Sequence, residues 1–202
     1  LGATTTGSAN TAVGANAMGA TVSATNSVAL GKDAMLVATA GDNNVAVGAT
    51  AMDVSTTSTN NVAVGFNSLG ATTTGSANTA VGANAMGATV SATNSVAVGK
   101  DAMLVATAGD NNVAIGSTAM DVSTTSTNNV AVGFNSLGAT TTGSANVAVG
   151  ANAMAATVSA TNSVAVGKDS MLVATAGDNN VAIGATAMDV STTSADNVAV
   201  GF

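Results

Sequence analysis

Short apolar runs recur along the chain every seventeen residues, and each run ends in glycine. A typical run is Val45-Ala46-Val47 before Gly48. Alternation with a period of two and a high content of β-branched residues predict a short strand, after which glycine permits a positive φ at a corner. Recurrent glycine with dense Val and Thr disfavours a helix. The predicted turn glycines begin with Gly14, Gly31, Gly48 and Gly65 and continue at the same interval to Gly201.

A second landmark follows each of the first eleven glycines by four residues, where the chain has Met or Leu preceded by Ala or Ser. The segment from Ala51 to Val54 predicts the start of a second short strand. We expect the Val, Leu and Ile residues at both ends of each strand that precedes an anchor glycine to point inward. Together with the Met and Leu column they would fill a narrow core. Stacked asparagines (Asn44, Asn61, Asn112 and Asn129) would form an amide ladder.

A unit of seventeen residues cannot bury its own apolar face, but stacked copies can. The sequence therefore predicts an all-β, parallel β-solenoid of twelve coils, with strands of neighbouring coils paired in parallel. At the usual strand spacing of about 4.8 Å, the rod would be roughly 55–60 Å long. We interpret residues 1–202 as one repetitive domain.

The coils are grouped in a longer repeat of 68 residues, with copies at 1–68, 69–136 and 137–202. The first two copies differ only where Leu30, Val47 and Ala49 become Val98, Ile115 and Ser117. The third copy stops partway through a unit, and the chain has no initiator Met. We therefore expect the chain to be a fragment of a longer array.

The central residue of each predicted strand is alanine in all twelve coils, beginning with Ala12, Ala29, Ala46 and Ala63. Successive side chains of a strand point to opposite faces, so these alanines would lie opposite the flanking valines. A face exposed to water would be expected to vary among the copies. We therefore predict that the alanines face a second subunit; the alternative is a two-sheet monomer.

Composition removes most catalytic chemistry. The chain lacks His, Cys, Glu and Arg, so the usual bases, nucleophile pairs and soft metal ligands are missing. A net charge of −7 opposes nucleic-acid binding, and no apolar stretch is long enough to cross a bilayer. We expect no enzyme activity, no cofactor and no metal site, and no nucleic-acid partner or membrane insertion for this segment.

The run Asn26-Ser27-Val28-Ala29-Leu30-Gly31 resembles the head repeats of trimeric autotransporter adhesins, although the adhesin repeat is typically shorter. The run from Asn78 to Gly82, followed by Ala85-Met86, is similar to repeat arrays of phage tail fibres and other long surface proteins. The resemblance covers the whole chain. It implies a side-by-side homotrimer outside the cell, at a cell surface or on a virion fibre.

Three aromatic residues, Phe66, Phe134 and Phe202, each follow an anchor glycine directly. The same column also holds Ala15, Lys32 and Ala49, so we expect it to be exposed. An exposed Phe in every fourth coil would provide a contact for a host-surface receptor, a glycan or a neighbouring rod. Alternatively, the Phe ring covers a corner of the coil.

Two further patterns suggest ligands. The sequence Gly41-Asp42-Asn43-Asn44 suggests calcium, but one Asp in four coils is sparse for a cation that takes several oxygens, and a surface turn is the better interpretation. Runs such as Thr4-Thr5-Thr6 suggest ice binding, yet threonine does not keep one column through all coils. The sequence therefore favours a structural fibre or stalk segment that spaces or presents an attachment surface. The alternatives are a self-assembling extracellular filament and an ice-binding solenoid.

Overall fold

The computed structural model describes residues 6–190 and 192–202, which form an all-β parallel solenoid of about eleven turns. The strands are β1 (Thr11–Val13), β2 (Val28–Leu30), β3 (Val37–Ala38), β4 (Val45–Val47), β5 (Val54–Ser55), β6 (Val62–Val64), β7 (Thr79–Val81), β8 (Val96–Val98), β9 (Val113–Ile115), β10 (Val130–Val132), β11 (Val147–Val149), β12 (Val164–Val166), β13 (Val181–Ile183) and β14 (Val198–Val200). No helix in this described part is long and apolar enough to span a membrane.

Twelve of the strands form one parallel sheet in the order β1-β2-β4-β6-β7-β8-β9-β10-β11-β12-β13-β14. Each residue pairs with its equivalent seventeen residues later, as Ala29 does with Ala46. Hydrogen bonds between coils are regular: the Val45 N–H donates to the Asn61 carbonyl at 2.8 Å, and the Gly48 N–H donates to the Leu30 carbonyl at 2.8 Å. The predicted solenoid and its register are therefore confirmed.

The predicted second strand forms in part of the solenoid. Within residues 6–190 and 192–202, β3 and β5 pair as a separate two-stranded sheet, and single bridges join Val105 to Val122 and Val173 to Val190. The segment before each of these positions is a series of tight turns, since Met52 has a φ of +51°. In the segment from Ala51 to Val54 the predicted second strand is present as β5, but it begins at Val54, because the chain turns sharply between its anchor glycine and its Met.

Positions within a coil are numbered here from the anchor glycine, which is position 0. In the coil that starts at Gly31, Asp33 is at position +2, Met35 at +4 and Asn43 at +12, and all three have a positive φ of 50–58°. Asn and Asp tolerate this left-handed conformation, whereas Met adopts it at a conformational cost. Burial of Met35 in the core offsets that cost.

The core is narrow and consists of a few inward columns. Met or Leu at position +4 supplies the largest fully buried side chains, as predicted. Position +3 is also buried, and it lies across the lumen from the main sheet, because the Ser136 hydroxyl donates to the Ala148 carbonyl at 3.0 Å. The central alanines of the strands complete this core: Ala29, Ala46 and Ala63 have no exposed surface.

The predicted direction of the main strands was wrong. The alanines point into the coil of their own chain, and Ala12 in the first coil also packs against the core. The flanking Val, Leu and Ile residues point outward, so they do not fill the core. Because the Met or Leu side chain already occupies the narrow lumen, only a methyl group fits beside it at the centre of each strand. Ala12, Ala29, Ala46 and Ala63 therefore do not face a partner subunit.

The anchor glycines form a corner where backbone stacks directly on backbone. Their φ values lie between +125° and +143°, as predicted for a positive-φ turn. A Cβ on Gly99 would lie 2.5 Å from the carbonyl oxygen of Gly116 in the next coil. Both the dihedral angle and the close approach therefore require glycine at this position.

We expect Gly99→Ala to lower the free energy of unfolding by at least about 2 kcal/mol, because alanine would be strained at this φ and would collide with the next coil. Urea unfolding followed by circular dichroism measures the change. Gly87→Ala is the matched control, since the third super-repeat carries Ala155 at that position. Equal stability of the two variants would contradict the assignment of Gly99 as a required corner.

Candidate functional site: an exposed valine face and its flanking columns

The outward side of the twelve-stranded sheet forms a continuous apolar surface, which we name the valine face. It consists of the first and last residues of each of the twelve strands, such as Val96 and Val98 of β8. All 24 positions are Val, Leu, Ile or Thr, and none is charged. Side chains of this face are exposed even in coils far from the two ends of the rod: Val81 is 36% exposed and Ile115 is 41% exposed.

Sequence reasoning missed this surface because it assigned the valines to the core. The signal was present in the invariant alanine: a residue that never varies and is always small fits a lumen of fixed width. The valines vary more, with Thr79, Leu30 and Ile115 among them, as residues outside a close-packed core do.

A buried asparagine ladder lies next to the valine face, at position +13. The Asn44 side chain donates to the Ser58 carbonyl at 2.8 Å, and its Oδ1 accepts from the Asn61 N–H at 2.9 Å. The same contacts recur at Asn112 and Asn129. The predicted amide ladder is confirmed. Ser27 and Ser95 replace Asn in every fourth coil, and their hydroxyls accept from the Asn44 and Asn112 N–H groups.

Asn112→Ala is expected to lower the free energy of unfolding by about 3 kcal/mol, because it leaves the Asn129 N–H and the Ser126 carbonyl without their partners in a buried site. Asn128→Ala is the control: Asn128 is exposed, and Ala145 occupies the same column in the next coil. Its expected cost is about 1 kcal/mol, from alanine in the left-handed region. A larger loss for Asn128→Ala than for Asn112→Ala would count against the ladder.

Two columns follow the glycine corner that ends the valine face: position +1, whose large side chains are exposed, and position +2, which is mostly half-buried. Position +1 contains every Lys and every Phe of the chain, separated by Ala or Ser. Phe66 and Phe134 are each 59% exposed, so the predicted exposure of this column is confirmed. Phe202 is also exposed and is the last residue of the described part. The role of these rings in contact with a receptor, glycan or rod stays a prediction.

Position +2 carries a side-chain ladder that anchors the lysines. The Asn84 side chain donates to Asp101 Oδ1 at 2.8 Å, and the Lys100 ammonium contacts the other oxygen of the same carboxylate. The hydrogen bond from Lys100, followed by that from Asn84, holds the pKa of Asp101 below its usual range. Asp33 and Asp169 have the same arrangement. Each lysine charge is therefore balanced by an adjacent carboxylate.

Asp53 and Asp121 lie in a different environment at position +5. One oxygen of each carboxylate is buried and has no hydrogen-bond partner. Burial is the main reason that the pKa of Asp121 is raised; the nearby Asp101 adds to the shift and Lys100 opposes it. Asp53 has the corresponding neighbours, Asp33 and Lys32. The acids at positions +2 and +5 therefore repel each other although they lie in different columns.

At pH 7, Asp121→Asn is expected to raise the free energy of unfolding, because the folded chain disfavours the charged form. This advantage should shrink as the pH falls through the raised pKa towards the unfolded value of about 3.9. Asp101→Asn should instead destabilise: the lowered pKa adds stability above about pH 3.9, and that stability is lost as the pH falls through the folded pKa. Urea unfolding between pH 7 and pH 3 measures both. A loss of stability at pH 7 in Asp121→Asn would contradict this account.

The side chains that suggested calcium and ice binding are engaged in hydrogen bonds between coils where the structure describes them. Asp42 Oδ1 accepts a hydrogen bond from the Thr25 N–H at 2.8 Å. The pKa of Asp42 is lowered first by the Thr25 side chain and then by this backbone hydrogen bond. Within residues 6–190 and 192–202, no three acidic side chains are grouped so that they could hold a metal ion. The Thr56 hydroxyl donates to the Thr73 carbonyl at 2.7 Å, so it is already engaged by the next coil. Thr4 and Thr5 lie outside the described residues.

Comparison of the chain with protein-family models, with curated proteins and with solved structures gives no match.

Proposed function

We propose that this chain is a structural, non-catalytic segment of an extracellular fibre or surface stalk, which associates side by side with copies of itself. The observation that carries the proposal is the valine face. As a flat strip about 10 Å wide and about 55 Å long, it covers roughly 550 Å². This lies at the upper end of the largest apolar patches on typical monomers, about 300–600 Å², which are often functional.

The shape of the valine face favours a second copy of the chain as its partner. The face repeats once per coil, at the strand spacing of about 4.8 Å. A partner that contacts it along the full length must present side chains with the same repeat. An identical rod laid parallel to the first has this repeat by construction, and it carries an equally apolar face.

The number of copies is proposed to be three, on the resemblance to trimeric autotransporter head repeats and to tail-fibre arrays. The same resemblance supports a location at a cell surface or on a virion fibre. The rings at Phe66 and Phe134 are exposed in the single chain, and they are proposed as contacts for a host-surface receptor or glycan wherever a neighbouring rod leaves them uncovered.

A self-assembling extracellular filament is the second candidate, and the same apolar face favours it. Copies that use two different surfaces form a closed ring when the rotation between them closes, and an open filament when it does not. Solution mass separates the two cases, because a trimer has a fixed mass and a filament grows with concentration.

Val98→Lys combined with Ile115→Lys is expected to reduce the mass measured by light scattering from three chains to one. Both residues lie on the valine face, and burying two lysine charges in an apolar interface is costly. The strands should still form, since both side chains point outward in the single chain. Circular dichroism monitors folding in the same samples.

The matched control is Ala108→Lys combined with Thr125→Lys, which adds the same charge at exposed positions on another side of two adjacent coils in the same part of the rod. It should keep the mass of the unmodified chain. A well-folded monomer for the unmodified chain itself would overturn the side-by-side proposal. A mass that rises steadily with concentration would favour the filament over the trimer.

A further inference from the structure

The valine face by itself does not specify how far one rod is shifted along another. Nearly every coil presents the same pair of residues, as in Val45 and Val47 or Val130 and Val132. A slip by one coil would replace valine contacts with equivalent ones and lose only the contacts of the terminal coil. Register is weakly specified when successive units look alike.

One exposed column next to the face is not uniform. Position +1 is the first residue beyond the glycine corner that ends each strand of the main sheet. It contains Lys32, Phe66, Lys100, Phe134, Lys168 and Phe202 in alternate coils, with Ala or Ser in the coils between. Lys and Phe thus alternate every two coils, about 9.6 Å apart at normal strand spacing. Only a slip of four coils brings like residues back to the same height.

We propose that the Lys and Phe column at position +1 fixes the register in which copies of this chain associate. The partner is a second copy of the chain, so this inference rests on the proposed side-by-side association. The column borders the valine face, which places large side chains at the rim of the interface. These large side chains distinguish one coil from the next on an otherwise uniform surface, and we call them marks.

The two residue types mark the rim in different ways. The Phe66 and Phe134 rings, 59% exposed in the single chain, gain burial when a neighbouring rod covers them. Each lysine stands beside a carboxylate, as Lys100 does beside Asp101, and such a pair is costly to cover with an apolar ring. When one rod slips by one, two or three coils, the neighbouring rod lies over a different set of Phe rings and Lys–Asp pairs. Specificity then comes from the disfavoured arrangements as well as from the preferred one.

Other features with the 68-residue period are less suited to this role. Asp42 and its copies recur every four coils at position +11, but the Asp42 carboxylate already accepts a hydrogen bond from the preceding coil. Leu36, Asp53 and Gly70 share position +5, where the side chains are half-buried or absent. Position +1 combines a long exposed side chain in alternate coils with a place beside the apolar face.

The test uses the absence of cysteine from the chain. Ser117→Cys introduces one spin-label site at position +1, and pulsed electron paramagnetic resonance then measures distances between labels on associated copies. In a closed trimer, whose mass light scattering establishes first, a single register predicts one narrow distance distribution because the three labels are equivalent. Slipped registers add further distances, because each coil moves a label by about 4.8 Å.

The marks are erased by replacing Lys32, Phe66, Lys100, Phe134, Lys168 and Phe202 with Ser, a residue that this column already carries at Ser117. We expect the erased chain to keep the mass of the unmodified assembly but to give several distances instead of one. Asp42→Ser with Asp110→Ser and Asp178→Ser is the matched control: it removes another mark of the same period, at a position where Ser76 and Ser144 occur. It should keep the single distance.

The outcomes separate this inference from the proposed function. One narrow distance in the erased chain, or several distances in the chain that retains its Lys and Phe residues, overturns the register role while leaving side-by-side association intact. A monomeric mass for the chain that retains these residues overturns the association and the register role together. Retained mass with a change from one distance to several supports both.

Discussion

The structure depends on one constraint: each coil must contain seventeen residues so that every residue stacks on its equivalent in the next. Backbone N–H and carbonyl groups then pair between coils, as Val45 does with Asn61. An extra or missing residue would break this pairing and move the Met, Asn and Gly columns out of line. The corner glycine, the left-handed Asn and Asp residues and the buried amide ladder all serve to keep the coil length constant.

The constraint explains both what the sequence predicts well and what it does not. Stacking makes each column visible as a period, so the solenoid, its glycine corners and the ladder through Asn44 and Asn61 follow from spacing alone. Periodicity does not tell which side of a strand faces inward, because alternation gives two faces and either can be the core. Their apolar character favoured the valines as the inward residues. However, Met and Leu already fill the lumen, so only Ala29 and its equivalents fit beside them.

The same argument accounts for the late start of the second strand, which begins at Val54 and not at Ala51. Met52 and its equivalents from Met18 to Met171 are fully buried in a left-handed conformation that their residue type disfavours. Local propensity alone predicts an extended chain at this point, whereas tertiary packing turns it. The exposed site was also recovered in part: the Phe and Lys column was evident from its tolerance of charge, while the valine face beside it became visible only once the direction of the strands was known.

The uniform pairing of residues seventeen apart has a consequence for folding. In most β proteins, a longer chain brings more distant segments together, and high contact order slows folding. Here the sequence separation between partners is the same for the first coil and the last. Once a nucleus of coils has formed, each further coil adds at its edge with the same loop-closure entropy. An array of this kind can therefore gain or lose whole 68-residue units by duplication or deletion without a new folding problem, so that its reach is adjustable by recombination alone.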